Sequence, residues 1–223
     1  MLDAAERRAE LERLATGWRS CTRCALAESR TQVVVGSGAL DADLMFVGEA
    51  PGFHEDRQGI PFVGQAGGLL EKLLGEIGLE REDVYIANVL KCRPPGNRDP
   101  LPGEIEACEG YLFQQVELIR PRVICTLGNF ATKLLSGSRE GITRVRGRPQ
   151  PRRFGAVDVK LFPIYHPAAA LYTPAMLDTL RQDFSRLPDL LAMPGDPEPV
   201  RAPVPVAVAA HEPEPEPAQL GLF

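Results

Sequence analysis

The sequence predicts an α/β fold: a three-layer sandwich around a central four-stranded, mainly parallel sheet, followed by a disordered C-terminal tail. Residues 43–49, 83–90, 122–128 and 159–166 are short β-branched or apolar runs. Runs of that kind are what strands buried on both faces require. Helical stripes fall between them. Leu69, Leu70, Leu73, Leu74 and Ile77 share one helical face, and Ile105, Cys108, Leu112, Val116 and Ile119 share another. Strands alternating with helices make a parallel sheet with helices on both sides.

The 223 residues, 44% apolar and 25% charged, suffice for a full core and one main domain over residues 1–193. The start, MLDAAERRAELERLA, reads as a charged amphipathic helix and not a signal peptide. No apolar run approaches the roughly 20 residues that span a bilayer, so a cytoplasmic protein is expected. Net charge is -5, which by itself argues against a nucleic-acid partner, but beyond Pro194 five acids face one arginine, and the body is nearly neutral. Within that body, residues 142–153 carry Arg144, Arg146, Arg148, Arg152 and Arg153 with no acid between them. Local sign matters more to a phosphate backbone than the total. Residues 194–218 hold eight prolines and neither helical nor strand period, the pattern of an extended linker.

Ligands in parallel α/β sheets gather beyond the carboxyl ends of the strands. Those ends are followed here by GEAPG, NVLKCRPPGNR, LGNF and HPAAALY, so the chemically distinctive segments converge. The first opens a stretch, residues 48–68, that sets Glu49, His54, Glu55 and Asp56 among six glycines and two prolines; it reads as one wall of a cleft. Five cysteines, an odd number, argue against a disulfide framework. Cys21 and Cys24 form a CxxC pair, with Cys92 and Cys108 much later. A four-cysteine site could hold zinc or an iron-sulfur cluster, and spacing chooses neither. The plainer alternative puts Cys108 in a helix core and Cys92 in a loop. Cys125, mid-strand, is read as core. A four-cysteine site would tie the N-terminal helix to residues 91–98, whose Lys91, Arg93 and Arg98 read as phosphate contacts.

Taken together, GEAPG with Glu55 six residues after Glu49, PFVGQAG, NVLKCRPPGNR, the four cysteines and HPAAALY resemble the family 4 uracil-DNA glycosylases, from about Cys21 to about Leu190. The resemblance implies a 4Fe-4S cluster on Cys21, Cys24, Cys92 and Cys108. It implies a monomer that flips uracil out of single- or double-stranded DNA and hydrolyses its glycosidic bond, leaving an abasic site. Phe62 matches the wall on which the base stacks. Asn88 matches the uracil reader, since an amide offers the donor and acceptor that O4 and N3–H require. Discrimination from cytosine then needs further residues to hold that amide. His166 matches a donor to uracil O2, with backbone amides around Gly48, Glu49 and Ala50 as further donors.

The best-known branch of the superfamily carries an Asp where Ala50 stands, so the acid must come from elsewhere. Glu49 is the first choice for supporting the water or the cationic sugar, and Glu55 the second. His54 and Asp56 cap or solvate the loop. Leu171 or Tyr172 would be the wedge that enters the DNA, Arg93, Arg144, Arg146 and Arg148 would hold phosphates, and Arg152 and Arg153 read as the solvated face of a hairpin. The last residues resemble the short peptide that docks on the bacterial β sliding clamp, with Gln219, Leu220, Leu222 and Phe223 as its contacts. Without the resemblance, an iron-sulfur redox sensor or a cluster-braced nucleic-acid-binding module is the alternative.

Overall fold

The computed structural model describes residues 2–193. The proline-rich linker over 194–218 and the clamp-type peptide over 219–223 lie outside the described residues. The strands are β1 (Ser37–Gly38), β2 (Leu44–Gly48), β3 (Tyr85–Asn88), β4 (Val123–Leu127), β5 (Gln150–Phe154) and β6 (Val157–Ile164). Among the described residues they form one sheet in the order β1-β3-β2-β4-β6-β5. The helices are α1 (Ala4–Trp18), α2 (Leu26–Ser29), α3 (Phe53–Gln58), α4 (Gln65–Glu76), α5 (Pro102–Ile119), α6 (Asn129–Ser136), α7 (Ile142–Val145), α8 (Pro174–Phe184) and α9 (Leu187–Ala192).

The α/β class holds, with six strands and not four. The four strands expected from apolar runs are the central ones, parallel throughout, while β1 and β5 add antiparallel edges to β3 and β6. Neither edge announces itself in sequence. β1 is two residues long, and β5 is QPRRF, half exposed and bearing a proline. Arg153 on β5 pairs with Asp158 on β6 at 2.6 Å, so this arginine lies on the face of a hairpin.

Alternation along the buried strands divides the core in two. In β2, Met45 and Val47 join Trp18 of α1 and Leu112 and Val116 of α5, whereas Leu44 and Phe46 meet Leu70 and Leu73 of α4 and Phe184 of α8. Phe46 and Phe184 stack at 5.7 Å. Every residue of β2, β3 and β4 is buried, which is why these runs are almost wholly apolar, Asn88 and Thr126 being the polar exceptions. Cys125 lies fully buried in β4, as expected. No described helix is long and apolar enough to cross a membrane.

The order of the strands reverses at β2, with β3 on one side and β4 on the other. A crevice opens beyond strand ends at such a reversal. Register decides what stands there: Gly48 is paired with Asn88 at the last rung of β2 and β3.

Arg146, expected among the phosphate contacts, has a different position. Its Nη1 lies 2.8 Å from both carboxylate oxygens of Asp183, whose side chain is only 3% exposed, and its guanidinium lies over the Tyr165 ring. It ties the segment before β5 to α8. Removing one partner strands the other charge in a poorly solvated place. Asp183→Ala should therefore lower the unfolding free energy by about 3 kcal/mol, seen as a lower urea midpoint at unchanged slope.

Candidate active site

A cavity of about 370 Å³ opens beyond the ends of β2, β3 and β6, and Glu49, Glu55, Phe62, Asn88 and His166 all line it. That volume is in the range of small-molecule sites. Three of the four stretches expected to converge at the strand ends thus line one cavity, and LGNF after β4 does not. Asn88, the last residue of β3, is 2% exposed, and its Oδ1 is the one buried side-chain oxygen or nitrogen without a hydrogen-bond partner among the described residues. No side-chain hydrogen bond holds the amide. It is fixed by packing, and its backbone carbonyl accepts from Lys91 Nζ at 2.8 Å.

Gly48 makes that packing possible. A Cβ at this position would collide with Asn88 Oδ1 and would come within 2.8 Å of the Phe62 ring. The carbonyls of Gly48 and Glu49 accept from the amides of Val89 and Leu90, extending the β2–β3 ladder beyond the strands and pinning the GEAPG turn.

Phe62 is buried and holds a left-handed backbone, φ 54°, which is unfavourable for a non-glycine residue. Two side chains hold its loop from opposite ends. Arg81 donates to the carbonyls of Pro61 and Phe62 and to Ser37 Oγ, and it pairs with Glu71. Glu55 Oε1 accepts from the amides of Val63 and Gly64 at 3.0 and 2.9 Å. Gly67 adds to the clamp, because a Cβ there would overlap the Phe62 carbonyl. The Phe62 ring lies against that of His166, 5.5 Å between centroids and 26° between planes.

His166 follows β6, and its Nδ1 accepts from the Ala168 amide at 3.1 Å. An Nδ1 that accepts is unprotonated, so the neutral ring carries its proton on Nε2, as a donor. Burial pushes the His166 pKa down to about 4, against an upward pull from Glu55. The ring is therefore neutral at physiological pH. Glu49, half-buried, is pushed up first by burial and second by Asp99. Its carboxylate has no hydrogen bond or ion pair among the described residues, whereas one oxygen of Glu55 is committed to the Phe62 loop. Ala50 lines the cavity where the better-known branch has Asp.

The cysteines come from three places: Cys21 and Cys24 after α1, Cys92 after β3, and Cys108 inside α5. Cys92 and Cys108 are buried, and Cys21 and Cys24 half-buried. Cys24 is electrostatically coupled to Cys92 and Cys108, and Cys21 to Cys108. Each of three sulfurs faces a donor: Tyr111 Oη to Cys21 at 3.1 Å, the Lys91 amide to Cys108 at 3.2 Å, and Arg30 to Cys92 at 3.5 Å. Among the described residues no group of three ligating side chains is gathered as a site for a single metal ion.

Other expected contacts divide. Arg93 and the exposed Arg148 bear no ion pair among the described residues, while Arg144 meets Glu140 at 3.6 Å on the surface. Lys91 is corrected outright. It is 1% exposed, and its Nζ donates to the Asn88 carbonyl and to Gln115 Oε1 at 2.6 Å, out of reach of phosphate. Arg98 forms two hydrogen bonds with the buried Glu104, bracing the loop that leads into α5. Leu171 is half-buried, whereas Tyr172 beside it is 83% exposed.

Sequence reasoning missed Arg81 and Gln115. Arg81 lies in GLEREDV, where nothing separates it from an ordinary surface cation. Gln115 did leave a signal: it occupies the core stripe of α5, between Cys108 and Ile119, where an amide needs buried partners. It donates to the Val35 carbonyl and to Tyr85 Oη.

The sequence model of the Uracil DNA glycosylase superfamily matches residues 35–187. The chain belongs to that superfamily. Several similar proteins are type-4 uracil-DNA glycosylases. The one from Sulfurisphaera tokodaii is 46% identical over 189 residues, 82% of this chain and 86% of its own length. The one from Archaeoglobus fulgidus is 48% identical over 175 residues, 77% and 88% respectively, and that from Thermotoga maritima 50% over 154 residues, 69% and 79%. Within the superfamily this chain belongs to the type-4 branch.

The contact at Gly48 yields a test. Gly48→Ala should push Phe62 or Asn88 out of place and reduce uracil release by roughly a hundredfold or more, the scale of losing one well-placed hydrogen bond in the transition state. Far-ultraviolet circular dichroism should be unchanged.

Proposed function

We infer that this chain is a uracil-DNA glycosylase of base-excision repair, acting by hydrolysis alone. One observation carries the reading beyond family membership: the buried, unpartnered Asn88 Oδ1 on the cavity wall. An orphaned acceptor in the interior is unfavourable by about 1–3 kcal/mol, and a ligand with a matching N–H would remove that penalty. Uracil supplies one at N3, with O4 for the amide's NH₂ group. Cytosine presents the reversed pattern at that edge.

In this reading the nucleotide swings out of the stack and its base lies along the Phe62 wall. As the bond between C1′ and N1 breaks, its electron pair leaves with the base as a uracil anion, and the sugar acquires cationic character. His166 donates from Nε2 towards O2, where the negative charge gathers. A neutral donor suits this role, since it stabilises the anion without requiring a proton at low pH. Glu49 faces the cationic sugar and orients the water whose oxygen bonds to C1′; one proton of that water is released, and the anion is protonated at N1. Glu55 acts through the Phe62 loop. Tyr172, with Leu171 beneath it, is the better-placed wedge, and Arg93, Arg144 and Arg148 meet phosphates of single- or double-stranded DNA.

The sulfurs suit a shared group: Cys24 lies within electrostatic reach of Cys92 and Cys108, and Cys21 of Cys108, and three of the four face a donor. A 4Fe-4S cluster on Cys21, Cys24, Cys92 and Cys108 fits that donor set and would supply a structural tie. Cys108 accepts from the backbone of Lys91, whose side chain holds Asn88, so the tie and the base reader share one residue. The chain acts as a monomer, and QLGLF would bring it to the sliding clamp through the linker, raising its concentration on nearby DNA.

A uracil-containing oligonucleotide, cleaved by alkali after incubation, tests the reading; no abasic product would overturn it. Asn88→Ala and His166→Ala should each lose roughly a hundredfold or more in rate. Glu49 loses its charge at a pH above the ordinary carboxylate range, because burial raises its pKa. The rate should therefore fall on the acid side within that raised window, and Glu49→Gln should abolish the fall together with most of the rate. His166→Ala should leave the window where it is, because His166 is neutral down to about 4. Deleting residues 219–223 should abolish clamp pull-down and leave excision from a short oligonucleotide intact.

A further inference from the structure

Phe53 opens α3 directly after Pro51 and Gly52, which line the cavity, yet its own ring points away from the core and is 48% exposed. Two guanidiniums approach this ring. Arg57 lies 5.6 Å and Arg93 5.3 Å from its centroid, and His54 meets it edge-on at 5.4 Å. Arg93 comes from the loop after β3, between the buried Cys92 and the cavity-lining Pro94, and its Nε is held by Asn97 Oδ1 at 2.7 Å. Neither arginine has a carboxylate partner among the described residues.

An apolar ring half open to water between two unneutralised cations has no evident structural purpose. Burial of Phe53 would have supplied more to stability, and an acid beside either arginine would have quieted the charge. A nucleic-acid strand answers both features, since an unstacked base offers a π-face and its phosphates offer charge. A neighbouring acidic peptide would satisfy the arginines and leave the ring wet. Position favours the strand too: α3 with the turn before it and the loop that carries Arg93 also rim the cavity, so the chain on either side of a flipped nucleotide leaves past them.

Accordingly we propose that Phe53, Arg57 and Arg93 form a stacking seat for an unpaired nucleotide flanking the flipped one, and that this seat favours single-stranded over duplex substrate. Within a duplex the flanking base stays stacked and paired and cannot reach Phe53. The proposal rests on the reading of the cavity as a uracil pocket.

The test compares Phe53→Ala and Phe53→Tyr with the unaltered chain on one uracil sequence, single-stranded or paired, together with binding of the same strands carrying a tetrahydrofuran abasic site in place of the uracil nucleotide. Loss of one base–aromatic stack predicts roughly a tenfold rise in KM and Kd for the single strand with Phe53→Ala, less than a twofold change for the duplex, and near-normal values for Phe53→Tyr. Arg57→Gln with Arg93→Gln should flatten the dependence of single-strand Kd on salt. Equal losses on both strand forms, or none on either, would overturn the seat. Absence of uracil release from the unaltered chain, with the binding pattern intact, would instead count against the glycosylase reading alone.

Discussion

The last rung between β2 and β3 sets Gly48 against Asn88, and the geometry of the cavity depends on that contact. Parallel pairing brings two chain exits to the same edge, and the reversal of strand order at β2 leaves room beyond them. At that edge the proposed base reader stands on β3, while the residue facing it on β2 must have no side chain at all. A Cβ at Gly48 would occupy the space that Asn88 Oδ1 and the Phe62 ring require. The acceptor is thus held by shape and left without a partner, a condition that folded proteins rarely tolerate in the interior.

Around this contact the chain places side chains that hold the cavity walls. Arg81 and Glu55 grip opposite ends of the loop that forces Phe62 to a positive φ, and such backbone strain persists only where neighbours over-determine it. Beneath the floor, Lys91 links the Asn88 carbonyl to Gln115, which reaches Tyr85 and Val35. The Lys91 amide faces Cys108. The Asn88 wall of the cavity and Cys108 of α5 are therefore joined by one continuous piece of polar packing, so that little ordering of that wall remains for the moment of binding.

Much of this was legible in the sequence, and the misreadings have physical causes. The central strands were visible because burial on both faces leaves them few polar positions; β1 and β5 were not, because an edge strand needs neither length nor apolarity. Gly48, Glu49, Asn88 and His166 stand at strand ends, where topology sends ligands, and motif resemblance named them. Cations in loops look alike, whatever they meet. Lys91, Arg98 and Arg146 resembled phosphate contacts, yet one is buried under Asn88 and two answer the carboxylates of Glu104 and Asp183. Only the fold decides which positive charges turn inward. Arg81 carried no signal, since its acceptors are backbone carbonyls from a distant loop. Gln115 did, as an amide on an apolar stripe.

The inward turn of Lys91 separates two kinds of charge in the molecule. Exposed arginines such as Arg144 and Arg148 feel dissolved ions, whose screening reaches about 10 Å at 0.1 M, whereas an ammonium with 1% of its surface in contact with solvent feels almost none. Brine would therefore loosen the grip on a polyanion while leaving the receptacle undistorted. In the proposed reading, holding DNA and recognising uracil become separable properties, the first tuned by the ionic surroundings and the second sealed against them.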